Sequence, residues 1–218
     1  MKPIVVVDYH KGNLMSVKRG LEAAGAYVRV SDDPREIASA CAVVLPGVGS
    51  FADAASFLWE SGQADALLSS IEAQKPFLGI CLGMQLLLER GREGAPRNEF
   101  ATGLGVLKGS CERLDARGLK VPHVGWDDVS FANPSSRLFR GIPEGSHFYF
   151  THSYVACPDE DGVVSCRCEY GVSFPAAFEL DAVFGCQFHP EKSSHRGHEV
   201  LCNFVDVAYG RTRKGLLR

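Results

Sequence analysis

A cysteine and a histidine in two separate apolar segments have the residue types of a nucleophile and its base. Cys81 stands between glycines in the stretch Gly-Ile-Cys-Leu-Gly, directly after an apolar run. His189 follows a second apolar run, and Glu191 comes two residues later, after a proline. A thiol, an imidazole and a carboxylate in this order can form a catalytic triad. The spacing predicts nucleophilic catalysis, with Cys81 as nucleophile, His189 as base and Glu191 holding the imidazole.

The glycines around Cys81 predict a sharp turn from a strand into a helix over Met84–Glu89. Glycine permits backbone conformations that a side chain would obstruct, and the pattern is that of a nucleophile elbow with sulfur in place of a hydroxyl. Free N–H groups and the dipole at a helix start favour the thiolate. A single cysteine is more often a buried small hydrophobe. The partnership with His189 and Glu191 favours the catalytic interpretation.

The composition is that of an ordinary globular protein. The chain has 218 residues, of which 45% are hydrophobic and 22% charged, and its formal net charge is −3. These values exclude a disordered chain and predict no general attraction to nucleic acid or membrane. They fit one domain, predicted over residues 1–210 and followed by a basic tail at 211–218. The first residues lack the pattern of a signal peptide, which predicts a cytoplasmic protein.

The eight cysteines predict reduced thiols, because they are scattered through mostly apolar segments of a chain without secretory features. Cys166 and Cys168 lack a second Cys-x-x-Cys pair, so the sequence predicts no metal site. No phosphate-binding glycine loop of the G-x-x-x-x-G-K-[ST] type is present in the sequence. We therefore expect no cofactor on this chain.

Apolar runs alternate with amphipathic segments in the first half of the chain. Strands are predicted at Ile4–Val7, Val28–Val30, Ala42–Leu45 and before Cys81, and helices at Asn13–Ala24, Phe51–Glu60 and Ala64–Ala73. This repetition implies right-handed crossovers and a parallel sheet. Residues Arg90–Ala101 are predicted as a loop, Gly103–Ala177 as short antiparallel strands, and His195–Tyr209 as a closing helix. The predicted fold is α/β, with an open, mostly parallel sheet, helices on both faces and antiparallel additions at the sheet edge.

Longer motifs resemble those of a known family. Leu78–Gln85 and Gln187–Glu191 are similar to the nucleophile and histidine motifs of the class I, or triad, glutamine amidotransferases. Other segments resemble the glutaminases that serve imidazole glycerol phosphate synthase: Asp8–Leu14, Leu45–Phe51, Val121–Trp126, Phe148–Tyr154 and His189–Ser194. The resemblance runs from Ile4 to about Tyr209. It implies hydrolysis of L-glutamine to glutamate and ammonia through a glutamyl thioester on Cys81.

The resemblance also implies which residues hold the substrate. The oxyanion is expected to meet the backbone N–H groups of Leu82 and of Val48 or Gly49, in a segment that can turn its peptide when a partner is engaged. The residues expected to bind glutamine are Gly47, Gln85, Glu93, His152, Ser153 and Tyr154. Among them, Glu93 suits the α-ammonium group. Each residue also has an ordinary structural interpretation in helix, strand or loop packing.

A partner is implied as well. In the resembled family, a cyclase subunit with a (β/α)₈ barrel joins the glutaminase in a heterodimer and uses the ammonia to make imidazole glycerol phosphate and aminoimidazole carboxamide ribotide in histidine biosynthesis. The contact residues expected here are Asn13, Trp126, Tyr149 and Lys192. The chain departs from the family pattern with His10 in place of glycine, Asp127 in place of asparagine and Thr151 in place of valine. His10 and Asp127 lie in segments that the family uses near its partner, and none of the three departures is at a triad residue.

Two other interpretations stay open at this stage. The chain could be the glutaminase of another synthase, such as one making anthranilate or pyridoxal phosphate, although Pro122–Trp126 argues against this. It could also be a regulatory subunit without activity, against which the intact triad weighs. A glutaminase assay with and without candidate barrel subunits separates the three interpretations.

Overall fold

Three sheets and six helices make up residues 2–211, the part of the chain that this computed structural model describes. The strands are β1 (Ile4–Val7), β2 (Val28–Ser31), β3 (Ala42–Gly47), β4 (Phe77–Cys81), β5 (Leu88–Gly91), β6 (Ala101–Thr102), β7 (Leu107–Arg113), β8 (His123–Asp128), β9 (Ser130–Phe131), β10 (His147–His152), β11 (Tyr154–Pro158), β12 (Val164–Tyr170), β13 (Val172–Leu180) and β14 (Val183–Cys186). The helices are α1 (Leu14–Ala23), α2 (Pro34–Ser39), α3 (Phe51–Glu60), α4 (Gln63–Glu72), α5 (Leu82–Gln85) and α6 (Ser194–Ala208).

The largest sheet has eight strands in the order β2-β1-β3-β4-β14-β13-β12-β9. The strands from β2 to β14 pair in parallel, and those from β14 to β9 pair antiparallel. Strand β14 therefore lies directly beside β4, although about a hundred residues separate them in the chain. This arrangement confirms the predicted α/β fold class, and it brings the ends of β4 and β14 together.

Helices cover both faces of this sheet, as predicted. Alternate side chains of β1 enter different cores: Ile4 and Val6 pack in the core that contains Leu21 of α1, whereas Val5 and Val7 pack in the core that contains Leu58 of α3. Successive side chains of a strand point to opposite faces, so a continuous apolar run is needed when both faces are covered. The β-branched run that predicted β1 is therefore explained by the burial of both faces of this strand.

The predicted antiparallel additions at the sheet edge are correct for β13, β12 and β9 and wrong for the other late strands. Strands β8 and β10 form a separate pair, and β11, β7, β5 and β6 form a second small sheet. Period-two patterns indicate that a segment is a strand, but they do not indicate which strand it joins. The pairing of these strands is decided by packing between distant parts of the chain.

The predicted helix over Met84–Glu89 is wrong. Helix α5 ends at Gln85 after one turn, and β5 begins at Leu88. The three leucines at 86–88 are buried, and the backbone N–H of Leu104 donates to the carbonyl of Leu86. Tertiary packing thus overrides the helical propensity of leucine here.

The structure differs from the sequence prediction at two further places, one predicted loop and one helix that was not predicted. The loop predicted over Arg90–Ala101 begins inside β5 and ends in β6. The sequence interpretation also missed α2, which Asp33 caps by accepting a hydrogen bond from the N–H of Arg35. Helix α2 has only six residues, too short for the apolar periodicity that predicts longer helices.

Several negative findings concern the described residues alone. None of their helices is both long and apolar enough to cross a membrane. Within the same range, no group of three or more His, Cys, Asp or Glu side chains could hold a metal ion. The eight cysteines are free thiols. Of the predicted basic tail, residues 212–218 lie outside the described range.

Candidate active site

Cys81 lies at a strained turn where β4 meets α5. Its backbone has φ +54° and ψ −110°, a conformation in which side-chain-bearing residues are rare. A Cβ on Gly79 would come within 2.6 Å of the carbonyl oxygen of Gly83, and a Cβ on Gly83 would overlap the carbonyl oxygen of Leu45. Both flanking glycines are therefore required for this close packing, which holds the Cys81 sulfur at the carboxyl end of β4.

His189 and Glu191 follow the neighbouring strand β14. The Nδ1 atom of His189 lies 2.9 Å from Oε1 of Glu191, and the two side chains are 4% and 1% exposed. No described residue forms a hydrogen bond of good geometry with Nε2 of His189. Burial alone would lower the pKa of His189, but interactions with Cys81 and Glu191 outweigh it and raise the pKa to about 9. Glu191 thus orients the imidazole, and Cys81 affects its pKa.

A second set of contacts fixes the backbone of His189. Its N–H donates to the carbonyl of Tyr149 on β10 at 2.9 Å. The hydroxyl of Ser193 donates to the carbonyl of His189 at 2.6 Å and accepts from the N–H of Tyr149 at 2.9 Å. His189 and Ser193, the residues on either side of the short 3₁₀ turn Pro190–Lys192, therefore both form hydrogen bonds with Tyr149 of β10. These bonds hold the imidazole beside β4.

Gln187 contacts the nucleophile directly, a role that the sequence interpretation did not assign. Its Nε2 donates to Sγ of Cys81 at 3.5 Å, and its Oε1 accepts from Nε2 of Gln85 at 2.9 Å. Nε2 of Gln85 also donates to the carbonyl of Tyr154 at 2.9 Å. Gln187 is completely buried. Its place in the apolar run before His189 was the signal that could have revealed it, because a buried amide needs partners.

The helix dipole that was expected to stabilise the Cys81 thiolate is weak in this structure. Helix α5 has four residues, so few aligned peptides contribute to a macrodipole. The polar contacts of the sulfur are instead the amide of Gln187 and, at 3.9 Å, the carbonyl of Thr151. The first N–H groups of a helix still lack partners within it, and Leu82 is the first residue of α5.

A cavity of about 260 Å³ opens beside Cys81, and it has the size of a small polar ligand. Its lining residues are Gly49, Cys81, Gln85, Glu93, Pro122, Thr151, His152, Ser153 and Tyr154. Every residue expected to bind glutamine except Gly47 is in this set. Burial raises the pKa of Glu93, although a backbone hydrogen bond from Phe51 opposes the shift. Glu93 is the acidic residue of the lining.

The segment Gly47–Gly49 forms the other side of the site. Gly47 ends β3 and pairs with Cys81 across the sheet. Val48 is 44% exposed, and Gly49 has φ +99°. The backbone expected to supply an oxyanion donor is therefore opposite the nucleophile and is loosely enclosed.

Three of the four expected partner contacts lie together on the surface near His189. Trp126 on β8 is 50% exposed and pairs with Tyr149 on β10, with ring centroids 6.1 Å apart. Nζ of Lys192 lies 5.7 Å from the centroid of the Tyr149 ring. Asn13 is exposed at the start of α1, next to Gly12, which faces Gly47.

The comparisons with known proteins agree on the family. Residues 5–208 match the family model described as glutamine amidotransferase class-I. The chain belongs to the class-I glutamine amidotransferase family. Among its relatives, imidazole glycerol phosphate synthase subunit HisH of Moorella thermoacetica is 50% identical over 95% of this chain and 96% of its own length. The protein of the same name from Geobacillus thermodenitrificans is 45% identical over 97% of this chain and 99% of its own length.

Solved structures agree with the class-I amidotransferase fold. A crystal structure of a glutamine amidotransferase is 21% identical and covers 94% of this chain and 99% of its own, with a TM-score of 0.72. The structure of PurLQS from Thermotoga maritima is 20% identical and covers 96% of this chain and 99% of that one, with a TM-score of 0.70. At these identities the likeness concerns the fold alone.

Tyr9 lies in the core beside Gly47, and the sequence interpretation left it without a role. Its side chain is fully buried, and its hydroxyl has no hydrogen-bond partner among residues 2–211. Burial raises the pKa of Tyr9, and the charge of Cys81 adds to the shift. A Cβ on Gly47 would overlap the hydroxyl of Tyr9. The residue at 47 must therefore be glycine as long as tyrosine stands at 9.

Proposed function

We propose that this chain hydrolyses L-glutamine to glutamate and ammonia as the glutaminase subunit of an imidazole glycerol phosphate synthase. Membership of the class-I glutamine amidotransferases supports the reaction. The 50% and 45% identical relatives, which extend along nearly the whole chain, support the particular synthase. The observation that carries the proposal is the arrangement of Cys81 at its strained turn beside the hydrogen-bonded pair of His189 and Glu191.

The chemistry assigns one task to each triad residue. Sγ of Cys81 attacks the side-chain carbonyl carbon of glutamine, which forms a C–S bond and a tetrahedral oxyanion. The C–N bond then breaks, and the imidazolium of His189 gives its proton to the departing ammonia. Water attacks the thioester while His189 accepts a proton, and glutamate leaves with the sulfur free again. Glu191 keeps the imidazole in the required orientation throughout.

The remaining residues hold the substrate. Leu82 and either Val48 or Gly49 supply N–H groups to the oxyanion, a contribution worth about a hundred-fold in turnover for each donor. The carboxylate of Glu93 faces the α-ammonium group at the far end of the cavity. Gly47, Gln85, His152, Ser153 and Tyr154 complete the wall. The glutaminase domain is proposed to occupy residues 1–210.

The ammonia has a separate destination. We propose that a cyclase subunit with a (β/α)₈ barrel docks on the surface of Trp126, Tyr149 and Lys192, with Asn13 at its border, and joins ammonia to a phosphoribulosyl formimino intermediate. Ammonia released without an acceptor would be protonated and lost to solvent. We therefore expect slow hydrolysis by the chain alone and faster hydrolysis in the complex. The cytoplasmic location predicted from the sequence stays a prediction.

The decisive experiment measures glutamate release by the purified chain alone, with the barrel subunit, and with the barrel subunit carrying its nucleotide substrate. We expect the last mixture to exceed the first by at least about a hundred-fold, the contribution of one oxyanion donor. Barrel subunits of other synthases are the negative controls. The proposal fails if the chain alone is as fast as the loaded complex, or if a different synthase partner stimulates it.

Charge reversal at Lys192 tests the docking surface. Lys192→Glu removes the cation beside the Tyr149 ring without altering a triad residue. We expect weaker association with the barrel subunit, seen as a higher Kd in titration calorimetry. Lys108→Glu, an exposed lysine on β7, is the matched control and is expected to bind normally. Equal affinities of the two variants would contradict this surface.

A further inference from the structure

Two buried histidines connect the cavity wall with the surface beside Trp126. His152 on β10 and His123 on β8 are paired across their two strands and are 6% and 1% exposed. Nδ1 of His152 lies 3.0 Å from the carbonyl oxygen of Tyr154, and its Nε2 lies 3.0 Å from Nδ1 of His123. Nε2 of His123 lies 2.7 Å from Oδ2 of Asp127, whose side chain is 36% exposed. Three contacts of hydrogen-bond length therefore follow one another.

The three contacts need three protons. The carbonyl of Tyr154 only accepts, so Nδ1 of His152 carries a proton. Burial, with help from neighbouring His123, lowers the pKa of His152 to about 3, which leaves this ring neutral and its Nε2 an acceptor. His123 must then donate from Nδ1, and its Nε2 faces a carboxylate that also only accepts. Two neutral imidazoles supply two protons, so the contact with Asp127 requires a third.

The opposite tautomers do not remove this deficit. If His123 used its single proton for Asp127, its Nδ1 would have to accept from Nε2 of His152. Nδ1 of His152 would then carry a lone pair that faces the carbonyl of Tyr154 at 3.0 Å. One contact lacks a proton in either arrangement, and an unmade hydrogen bond in a buried site is costly.

We propose that His123 and Asp127 share one additional proton, and that this pair is a positioning device for the glutamine cavity. The proposal rests on the proposed function, because it assigns the cavity to glutamine. While the proton is bound, all three contacts are made and His152 is held against the carbonyl of Tyr154. When the proton leaves, one contact is lost. Asp127 is the exposed member, so the proton enters and leaves there.

The His123–Asp127 pair is connected to the wall of the glutamine cavity through His152 and the carbonyl of Tyr154. The carbonyl that accepts from His152 also accepts from Nε2 of Gln85, which in turn donates to Gln187, the donor to Sγ of Cys81. Tyr154, Gln85 and His152 all line the cavity. Loss of the proton should therefore loosen the glutamine wall and raise KM for glutamine more than it lowers kcat.

The groups packed around the pair determine when the proton is lost. On β12, the ring of Tyr170 stacks on His123 at 4.0 Å, and its hydroxyl donates to the carbonyl of Lys120 and is not free for the imidazole. The thiol of Cys168, also on β12, has its pKa raised to about 12 by burial and by nearby negative charge. The carboxylates that contribute to that charge are Asp127, Asp128 and Glu169.

Other neighbours among the described residues include an imidazole and two phenyl rings. His189 faces His152 and helps to keep it neutral. Phe150 stacks on His123 with ring centroids 4.9 Å apart, and Phe174 meets it edge-on at 6.0 Å. Burial lowers the pKa of His123 from 6.5, and the interaction with Asp127 opposes the shift. We expect the shared proton to leave as pH rises.

The substitution Asp127→Asn should keep the contact between residue 127 and His123 but remove the need for the additional proton. The side-chain amide can donate to Nε2 of a neutral His123, so the chain of contacts closes with two imidazole protons at every pH. Asp128→Asn removes the same charge from the exposed neighbouring residue on β8, which does not contact His123, and serves as the matched control. Neither substitution changes side-chain size enough to disturb folding.

Nitrogen NMR of the histidine rings in the full chain counts the protons without any activity measurement. As pH rises from about 5 to about 8, the wild-type protein and Asp128→Asn should show one deprotonation step at His123. In Asp127→Asn, His123 should keep a single neutral tautomer throughout. The proposal is overturned if His123 carries the same number of protons in all three proteins at every pH.

Steady-state kinetics of the complex with the barrel subunit test the positioning role. We compare KM for glutamine in the wild-type complex with KM in the Asp127→Asn complex, on the acid and on the alkaline side of the His123 deprotonation step. The ratio of the two, wild type over variant, should rise about fivefold from the acid to the alkaline side, which is the effect of one lost hydrogen bond. The corresponding ratio of kcat should stay constant. A KM ratio that does not change with pH overturns the positioning role. If no partner elicits glutaminase activity, the proposed function fails, while the NMR proton count still stands on its own.

Discussion

The two sides of the site are built differently. On one side, Cys81 is held by a strained backbone and by glycines that have no space for a side chain. On the other, Val48 is 44% exposed, and the nearest atom to a Cβ on Gly49 would be a lysine side-chain carbon at 3.5 Å. Close packing makes the nucleophile rigid, whereas the opposite segment has space to adjust. We infer that the position of the sulfur is fixed before substrate arrives and that the opposite segment is adjustable.

Removal of the sulfur gives the largest effect and tests the rigid side. Cys81→Ala should lower glutamine hydrolysis by at least about ten-thousand-fold, because no other group can form the thioester. Synthesis by the complex with ammonia supplied in the medium should continue, since the acceptor is proposed to bind the other subunit. Coupled assays with glutamine or ammonium salt distinguish these outcomes.

Alkylation by a glutamine-like chloroketone provides the control for this variant. Burial raises the pKa of six other cysteines, namely Cys41, Cys111, Cys157, Cys166, Cys168 and Cys186. Cys202 is 5% exposed and does not line the cavity beside Cys81. The reagent should therefore modify Cys81 in the wild-type protein and leave Cys81→Ala unmodified, as mass spectrometry would detect. Residual glutamine hydrolysis by Cys81→Ala would refute the assignment of the nucleophile.

Restriction of the adjustable side gives the next largest effect. Gly49→Ala meets no steric obstacle, but φ +99° is strained for alanine, so the substitution should restrict the conformations that the segment can adopt. We expect kcat of the stimulated complex to fall about a hundred-fold, the cost of one oxyanion donor. Gly62→Ala, at φ +74° with open space around it, should cost similar stability and leave kcat unchanged. Similar loss of kcat in both variants would mean that the segment has no special role.

The charge of Glu191 should be visible in the pH profile. His189 keeps its proton up to a pKa of about 9, so kcat should fall as pH rises through this value and the acid for ammonia departure is lost. By linkage, the stability contributed by the interactions of the charged imidazole with Cys81 and Glu191 is complete below pH 6.5 and disappears as pH rises through about 9. Glu191→Gln should move the alkaline limb down by about one unit or more and lower kcat about tenfold at neutral pH.

The control for this pH measurement is Glu199→Gln, a substitution on α6 whose carboxylate contacts His195 and Arg196. It should leave the alkaline limb in place. An unchanged limb in Glu191→Gln would show that Glu191 does not set the proton affinity of His189.

The smallest effect concerns the hydroxyl of Tyr9. Because this buried group has no partner in the described part of the chain, Tyr9→Phe should raise the free energy of unfolding by about 1 kcal/mol. Tyr170→Phe is the matched comparison, since it removes a hydroxyl that donates to Lys120 at 3.0 Å, and it should lower the free energy by a similar amount. Urea denaturation of the two variants measures both changes. A loss of stability in Tyr9→Phe would indicate a partner for its hydroxyl.

By itself, the sequence determined the class of fold and the family motifs. Apolar runs in β1 and β3, with amphipathic helices between them, required a parallel sheet covered on both faces, because such strands can be buried only between two layers. The spacing of Cys81, His189 and Glu191 indicated a triad because each lies in or beside a recognisable strand end. These features depend on local composition and periodicity, which can be read along the chain.

Tertiary structure decided the contacts between distant strands. The pairing of β8 with β10 placed His123 against His152, and the insertion of β14 beside β4 placed Gln187 against Cys81. It also ended α5 after one turn, because the following leucines are buried where their backbone joins other strands. Local patterns specify which residues are buried, but the free energy that selects their partners comes from packing between segments far apart in the chain.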